Sequence, residues 1–133
     1  MVLNYKGERT ILIYHHPRKY KLPDLEGARW IYYTSVGENH NNLDAELLRH
    51  IRASKPHPKL AFNPGTHQLR KGLSALRPLF KASTVLFLNK EETESLVGRA
   101  EDMKILLDKV SATGPETVVI TDGSKGAFVH DGV

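Results

Sequence analysis

The apolar positions of this chain change period several times, and each change marks an element. Three short continuous runs end in polar, glycine-punctuated turns. Lys59 to Phe62 empties into Asn63-Pro64-Gly65-Thr66, Thr84 to Leu88 into Asn89-Lys90-Glu91-Glu92, and Thr117 to Ile120 into Thr121-Asp122-Gly123-Ser124-Lys125-Gly126. Continuous runs of this length are the pattern of parallel strands covered on both faces. Between them the period lengthens to that of a helix. Leu43, Leu47, Leu48 and Ile51 share one helical face, with Asn41 and Asn42 as N-cap candidates and Pro56 and Pro58 closing the segment. Leu69, Leu73 and Leu76 predict a short helix that Pro78 interrupts. Asn89 opens a helix through Val97, with Gly98 as its αL C-cap, and Met103, Leu106, Leu107 and Val110 line another that Gly114-Pro115 ends. Strand and helix alternate, which predicts a largely parallel sheet with right-handed crossovers.

The two ends of the chain read differently. Val2 to Tyr14 predicts a hairpin turning at Gly7, with Thr10 to Tyr14 as the return strand and a first arm almost missing. Pro17 and Pro23 bracket a loop, and Ala28 to Tyr33 is a strand ending in Thr34-Ser35-Val36-Gly37. Gly126 to His130 is another strand, followed by Asp131-Gly132, a type I′ turn signal with one residue after it. The sequence therefore reads as an incomplete domain cut through a hairpin. Unpaired edges and an uncovered apolar face predict self-association, so a homo-oligomer is expected.

Composition narrows the partners. With 133 residues, 40% hydrophobic and 26% charged, the chain has the make-up of about one globular domain. The net charge is +4, but the basic residues are spread through mixed stretches such as Arg49 to Lys59 and Arg70 to Lys81. That spacing predicts solvated helix faces and no nucleic-acid partner. Cysteine is absent, which removes disulfides and thiolate chemistry and suits a cytoplasmic location. No apolar run approaches the ~20 residues of a bilayer span, so no membrane partner is expected. His15-His16 invites a metal site, yet neighbours on a strand face opposite ways and no His-x-x-x-His spacing occurs, so none is expected there.

The chemistry should gather where the parallel strands end, because open α/β sheets bind ligands outside those carboxyl ends. Asn89 followed by Glu92 has capping-box spacing, and a helix amino terminus also favours anions. Thr121 to Gly126 is either a tight turn or a phosphate-cradling one, and Lys125 either a surface charge or a phosphate contact. Asn63-Pro64 is either an Asx-type turn or a ligand-contacting one.

Taken in order and spacing, Asn63-Pro64, Asn89 to Glu92 and Thr121 to Gly126 resemble the PfkB (ribokinase-like) family of ATP-dependent sugar and nucleoside kinases, over most of the chain. The resemblance implies an α/β fold: a three-layer ribokinase-like, Rossmann-like sheet with helices on both faces, plus part of a β lid. Residues 1–20 would supply lid strands and 28–133 the central region. The implied reaction transfers the γ-phosphoryl of ATP to a hydroxyl of a sugar or related small molecule, with ATP and Mg²⁺ required. Asn89 and Glu92 would lie beside the phosphates, Glu92 organising magnesium through water. Thr121, Asp122, Gly123, Ser124 and Gly126 would hold the nucleotide. Asn63 would lie between sugar and phosphates, and Ser35, with Thr34, where relatives place a substrate contact; no acidic residue stands there. Tyr14 and Arg18 are lid candidates. In the family a Gly-Ala-Gly-Asp turn downstream supplies the catalytic aspartate. The sequence reaches Val133 before that motif, so no catalytic residue is assigned and the chain alone is expected to be inactive. The competing expectation is a non-catalytic nucleotide- or sugar-binding module of the same fold.

Overall fold

The computed structural model describes residues 2–5, 8–12, 16 and 18–132. Gly7, Tyr14, His15 and Pro17, on which the turn, lid and metal expectations partly rest, lie outside the described residues. A two-stranded antiparallel ribbon pairs β1 (Val2–Tyr5) with β2 (Glu8–Ile11), Leu3 opposite Thr10 and Asn4 opposite Arg9. The hairpin is there, but its first arm is complete and its return arm starts at Glu8 rather than Thr10. A ladder needs arms of equal length, and four residues on each side satisfy it.

The main sheet runs in the order β3 (Trp30–Tyr33), β4 (Lys59–Phe62), β5 (Val85–Asn89), β6 (Thr117–Thr121), β7 (Ala127–His130). The first four strands are parallel and β7 returns antiparallel along β6. Five helices connect them: α1 (Asn41–Ala53), α2 (Thr66–Leu69), α3 (Gly72–Ala82), α4 (Lys90–Val97) and α5 (Met103–Ser111). Because the order of the parallel strands never reverses, right-handed crossovers deliver every helix to the same side. Burial agrees. Ile31, Tyr33, Leu60, Phe62, Leu86, Leu88, Val118 and Ile120 are in register on one face and buried, whereas Trp30, Tyr32 and Val129 on the other are 52%, 63% and 59% exposed. The α/β class and the parallel-rich sheet hold. Of the three layers expected, the described residues form two.

The covered face packs as one cluster with Leu47 and Ile51 of α1, Leu76, Leu79 and Phe80 of α3, and Leu106 and Val110 of α5. Phe62 stacks on Tyr33 at 5.4 Å and meets Phe80 edge-on at 6.1 Å. Pro78 does not end its helix but lies inside α3. Its ring is exposed, so water can serve the carbonyl that loses a partner, while Leu79 and Phe80 just beyond it are buried. Asn41 and Asn42 are the first helical residues of α1 rather than its cap. His40 holds the cap position and spends its Nδ1 on the Gly37 carbonyl at 2.8 Å. Gly98 has the positive φ expected of a helix end, 81°, but ψ 157° takes it out of the αL region. The strand expected to begin at Ala28 begins at Trp30, and Gly126 precedes β7 instead of joining it.

Candidate functional site

Four parallel strands end along one edge, and each hands on a turn that carries candidate residues. The turn after β5 is closed by a reciprocal pair of hydrogen bonds. Asn89 Oδ1 accepts from the Glu92 amide and Glu92 Oε2 accepts from the Asn89 amide, both at 2.8 Å, so two otherwise orphaned donors are satisfied reciprocally. Buried Thr93 donates its hydroxyl to the Asn89 carbonyl at 2.9 Å. Burial pushes the Glu92 carboxyl above its usual range; the Asn89 amide pulls it back and the charge of Glu91 adds to the rise.

Register sets the next turn beside this one, since Asn89 lies opposite Thr121. Gly123 and Gly126 have φ of 50° and 90°, which side chains with a Cβ rarely adopt, so the turn requires glycine at both. The Asp122, Lys125 and Gly126 amides bond within the turn, to the carbonyls of Gly126, Asp122 and Gly123. Those three are spent internally, while Thr121 and Ser124 stand exposed. The Asp122 carboxylate lies 3.8 Å from Lys90 Nζ and 3.5 Å from Lys125 Nζ, tying the two turns together by charge. Lys125 thus has a structural partner.

The turn after β4 meshes with the loop after β3. A Cβ on Gly65 would stand 2.5 Å from Ser35 Oγ and 2.8 Å from Ser35 Cα, closer than atoms pack. The Gly65 amide donates to Oε1 of fully buried Gln68 at 2.8 Å. Asn63 donates its backbone N–H to the Tyr33 carbonyl at 2.9 Å, and its side chain reaches Tyr32 Oη at 3.5 Å, on the uncovered face. A hollow of about 400 Å³ separates Thr66 and Arg70 from Asn89, Glu92 and Ser95. The structure therefore joins Ser35 to the Asn63–Thr66 turn, that turn's Thr66 to Asn89 and Glu92, and Asn89 to Thr121. Asn63 does not line the hollow.

Several residues of this edge carry no sequence signal as site residues. Tyr33 Oη donates to Asp44 Oδ1, and Lys71 Nζ approaches Asp44 Oδ2 at 3.2 Å and also donates to Asn41. Burial first, then the Asp44 hydrogen bond and charge, raise the Tyr33 phenol far above its usual range, so it stays a neutral donor. Gln68 was findable, because it follows Gly65 at capping-box spacing. Asp44 and Arg70 were not, since only the tertiary fold gives each its neighbours. Among the described residues no helix is long and apolar enough to cross a membrane, and no group of three or more His, Asp or Glu is placed to hold a metal.

Comparison with known proteins concerns the chain as a whole. The family described as pfkB family carbohydrate kinase matches residues 1–133. An uncharacterized sugar kinase of Archaeoglobus fulgidus is 28% identical over 133 residues, covering 96% of this chain and 52% of the relative. The fold is similar to that of a fructokinase from Vibrio cholerae O395, solved with fructose, ADP and calcium ion (TM-score 0.65, 16% identity, 83% of this chain and 37% of that one). It is also similar to a Bacillus subtilis pyridoxal kinase solved as an ADP complex (TM-score 0.57, 22% identity, 74% and 44%). The chain spans about half the length of the curated relative and less of these two structures.

Proposed function

The chain belongs to the pfkB family of carbohydrate kinases, and from that premise we propose that it forms the phosphate side of a site transferring the γ-phosphoryl of ATP to a hydroxyl of a sugar or related small molecule. The observation that supports this most is the register pairing of Asn89 with Thr121, which sets the capped Asn89–Glu92 turn and the Thr121–Gly126 turn side by side. Phosphoryl transfer asks little covalent chemistry of a protein and much positioning and charge neutralisation. The amino terminus of α4 faces this edge, and its partial positive charge favours phosphate. The exposed Thr121 and Ser124 hydroxyls are donors for the nucleotide, with Asp122, Gly123 and Gly126 shaping the turn that presents them.

Glu92 fits a water-mediated role toward magnesium. Magnesium keeps several waters and takes one or two carboxylates alongside phosphates, and Glu92 offers a single half-buried carboxylate whose burial disfavours the charge, a cost that a neighbouring cation offsets. When bound, the ion would neutralise charge on the transferring phosphates. Asn63 and Ser35 lie on the acceptor side. No residue of this chain is assigned as general base, which typically contributes 10²–10⁴-fold in rate, so the chain alone should not turn over ATP.

The test is ATP binding to the 133-residue chain, titrated with and without magnesium, against Glu92→Gln, which keeps an acceptor for the Asn89 amide and removes the charge. Magnesium should strengthen binding to the native chain and do little for the variant. Identical magnesium dependence in the two would remove Glu92 from the reading. Sugar-dependent ADP release by the chain alone would overturn the half-site assignment.

A further inference from the structure

The opposite edge of the sheet, where the parallel strands begin, gathers charge that is dispersed along the sequence. Arg29 precedes β3, Arg52 and Lys55 stand at the end of α1, Lys59 opens β4 and Lys81 lies in the last turn of α3. With His57 they line two adjoining hollows of about 270 and 500 Å³, which share His57 and Lys59. Glu116 is the one acidic residue lining either. All five cations are exposed, and among the described residues none joins an ion pair.

Cations at helix carboxyl ends commonly serve the last carbonyls and the dipole. Here two carbonyls at each helix end are served by other groups. Ser54 gives both its amide and its hydroxyl to the His50 carbonyl, and His57 Nδ1 reaches the Ile51 carbonyl at 2.8 Å. At the end of α3, Ser83 donates its hydroxyl to the Leu79 carbonyl and its amide to that of Phe80. The ammonium and guanidinium groups join no ion pair among the described residues, and two of the side chains are held by contacts of their own. Lys59 Nζ sits 5.3 Å above the Trp30 ring, and the stem of Lys81 lies against Gly114, where an added Cβ would meet its Cγ at 2.6 Å. Like charges that outnumber the counter-charge, here five cations against Glu116, attract a polyanion, most of all where they converge on a concavity.

We propose that this amino-terminal edge binds a small polyanion carrying two or more phosphoryl groups, at a site separate from the nucleotide edge. Arg29 and Lys55 serve one hollow, Arg52 and Lys81 the other, and Lys59 and His57 stand between, an arrangement suited to a ligand with charge at both ends.

Inorganic tripolyphosphate, without magnesium, is the probe, titrated into the full chain and followed by amide shifts in NMR and by calorimetry. Shifts should centre on 52–59 and 81–84, and the affinity should fall with added salt. The double variant Arg52→Glu/Lys81→Glu should weaken binding at least about tenfold. Lys55→Gln, a milder surface change, should weaken it severalfold. Arg49→Glu, half the charge change of the double variant and on α1 outside both hollows, should cost much less. Shifts confined to 121–126, no shifts up to millimolar probe, or an equal loss in Arg49→Glu would each overturn the site.

Discussion

The two faces of the main sheet are made by the same strands in strict alternation, yet they live in different solvents. Phe62, Leu60, Leu86, Val118 and Ile120 are fully buried beneath the helices, whereas Trp30, Tyr32 and Val129, one residue out of phase, are more than half exposed. Parallel sheets are ordinarily covered on both sides, because their strands are apolar on both. Here the inner face carries the stability and the outer face carries apolar area without a helical cover. Substitutions separated by a single residue should therefore differ in kind.

The largest effect tests that difference directly. Phe62→Ala should cost about 3–5 kcal/mol, the range for emptying a packed aromatic site, while Tyr32→Ala, one residue from the position opposite Phe62, should cost less than about 1 kcal/mol. Denaturant melts of both at equal concentration check this, and comparable losses would mean the outer face is covered in solution. Sedimentation of the native chain against Tyr32→Lys completes the comparison, since the outer face is expected to drive self-association and a charge on it should oppose it.

Next in size is Gly65→Ala, a site tight against the loop after β3. Overpacking there should cost about 1–3 kcal/mol in melting experiments. A neutral result would show that the turn moves freely. Asn89→Ala should lose about 1 kcal/mol by removing the N-cap acceptor. If the turn also faces phosphates, ATP affinity measured on the folded fraction should fall as well, and an unchanged affinity would leave Asn89 a cap alone.

The smallest effect is in pH. The Glu92 carboxyl is raised above 4.5 in the fold by burial, so the folded chain binds more proton than the unfolded one between that value and its raised one. The stability linked to Glu92 is present at low pH and is lost as pH rises through this window. Melts across weakly acidic pH should show a shallower fall in Glu92→Gln than in the native chain, and parallel profiles would contradict the shift.

What was legible in the sequence was what local pattern controls. The three apolar runs became β4, β5 and β6, the spacings of Leu43 to Ile51 and of Met103 to Val110 became α1 and α5, and Asn89 with Glu92 closed as a capping box, whereas Leu69 ends α2 and the positive φ of Gly72 parts it from Leu73 and Leu76 in α3. The misses fall where tertiary contact overrides local signal. Pro78 stays helical because buried Leu79 and Phe80 hold the turn beyond it, and His40 displaces Asn41 and Asn42 at the start of α1. The same limit applies to the site. Asn63 binds toward Tyr32, a neighbour 31 positions away, and Asp44 acquires Tyr33 and Lys71 only when β3, α1 and α3 come together. The second helical layer was expected from the continuous apolar runs, and strand order decides where helices go.

The contact between Gly65 and Ser35 also governs motion. With the place of a Gly65 Cβ only 2.8 Å from Ser35 Cα, trimming the Ser35 side chain would not separate the two loops. The two loops therefore cannot close further on each other at this point. Any movement that narrows this end of the sheet around a ligand has to come from the turns after β5 and β6, and a residue larger than glycine at 65 would hold the first two loops apart.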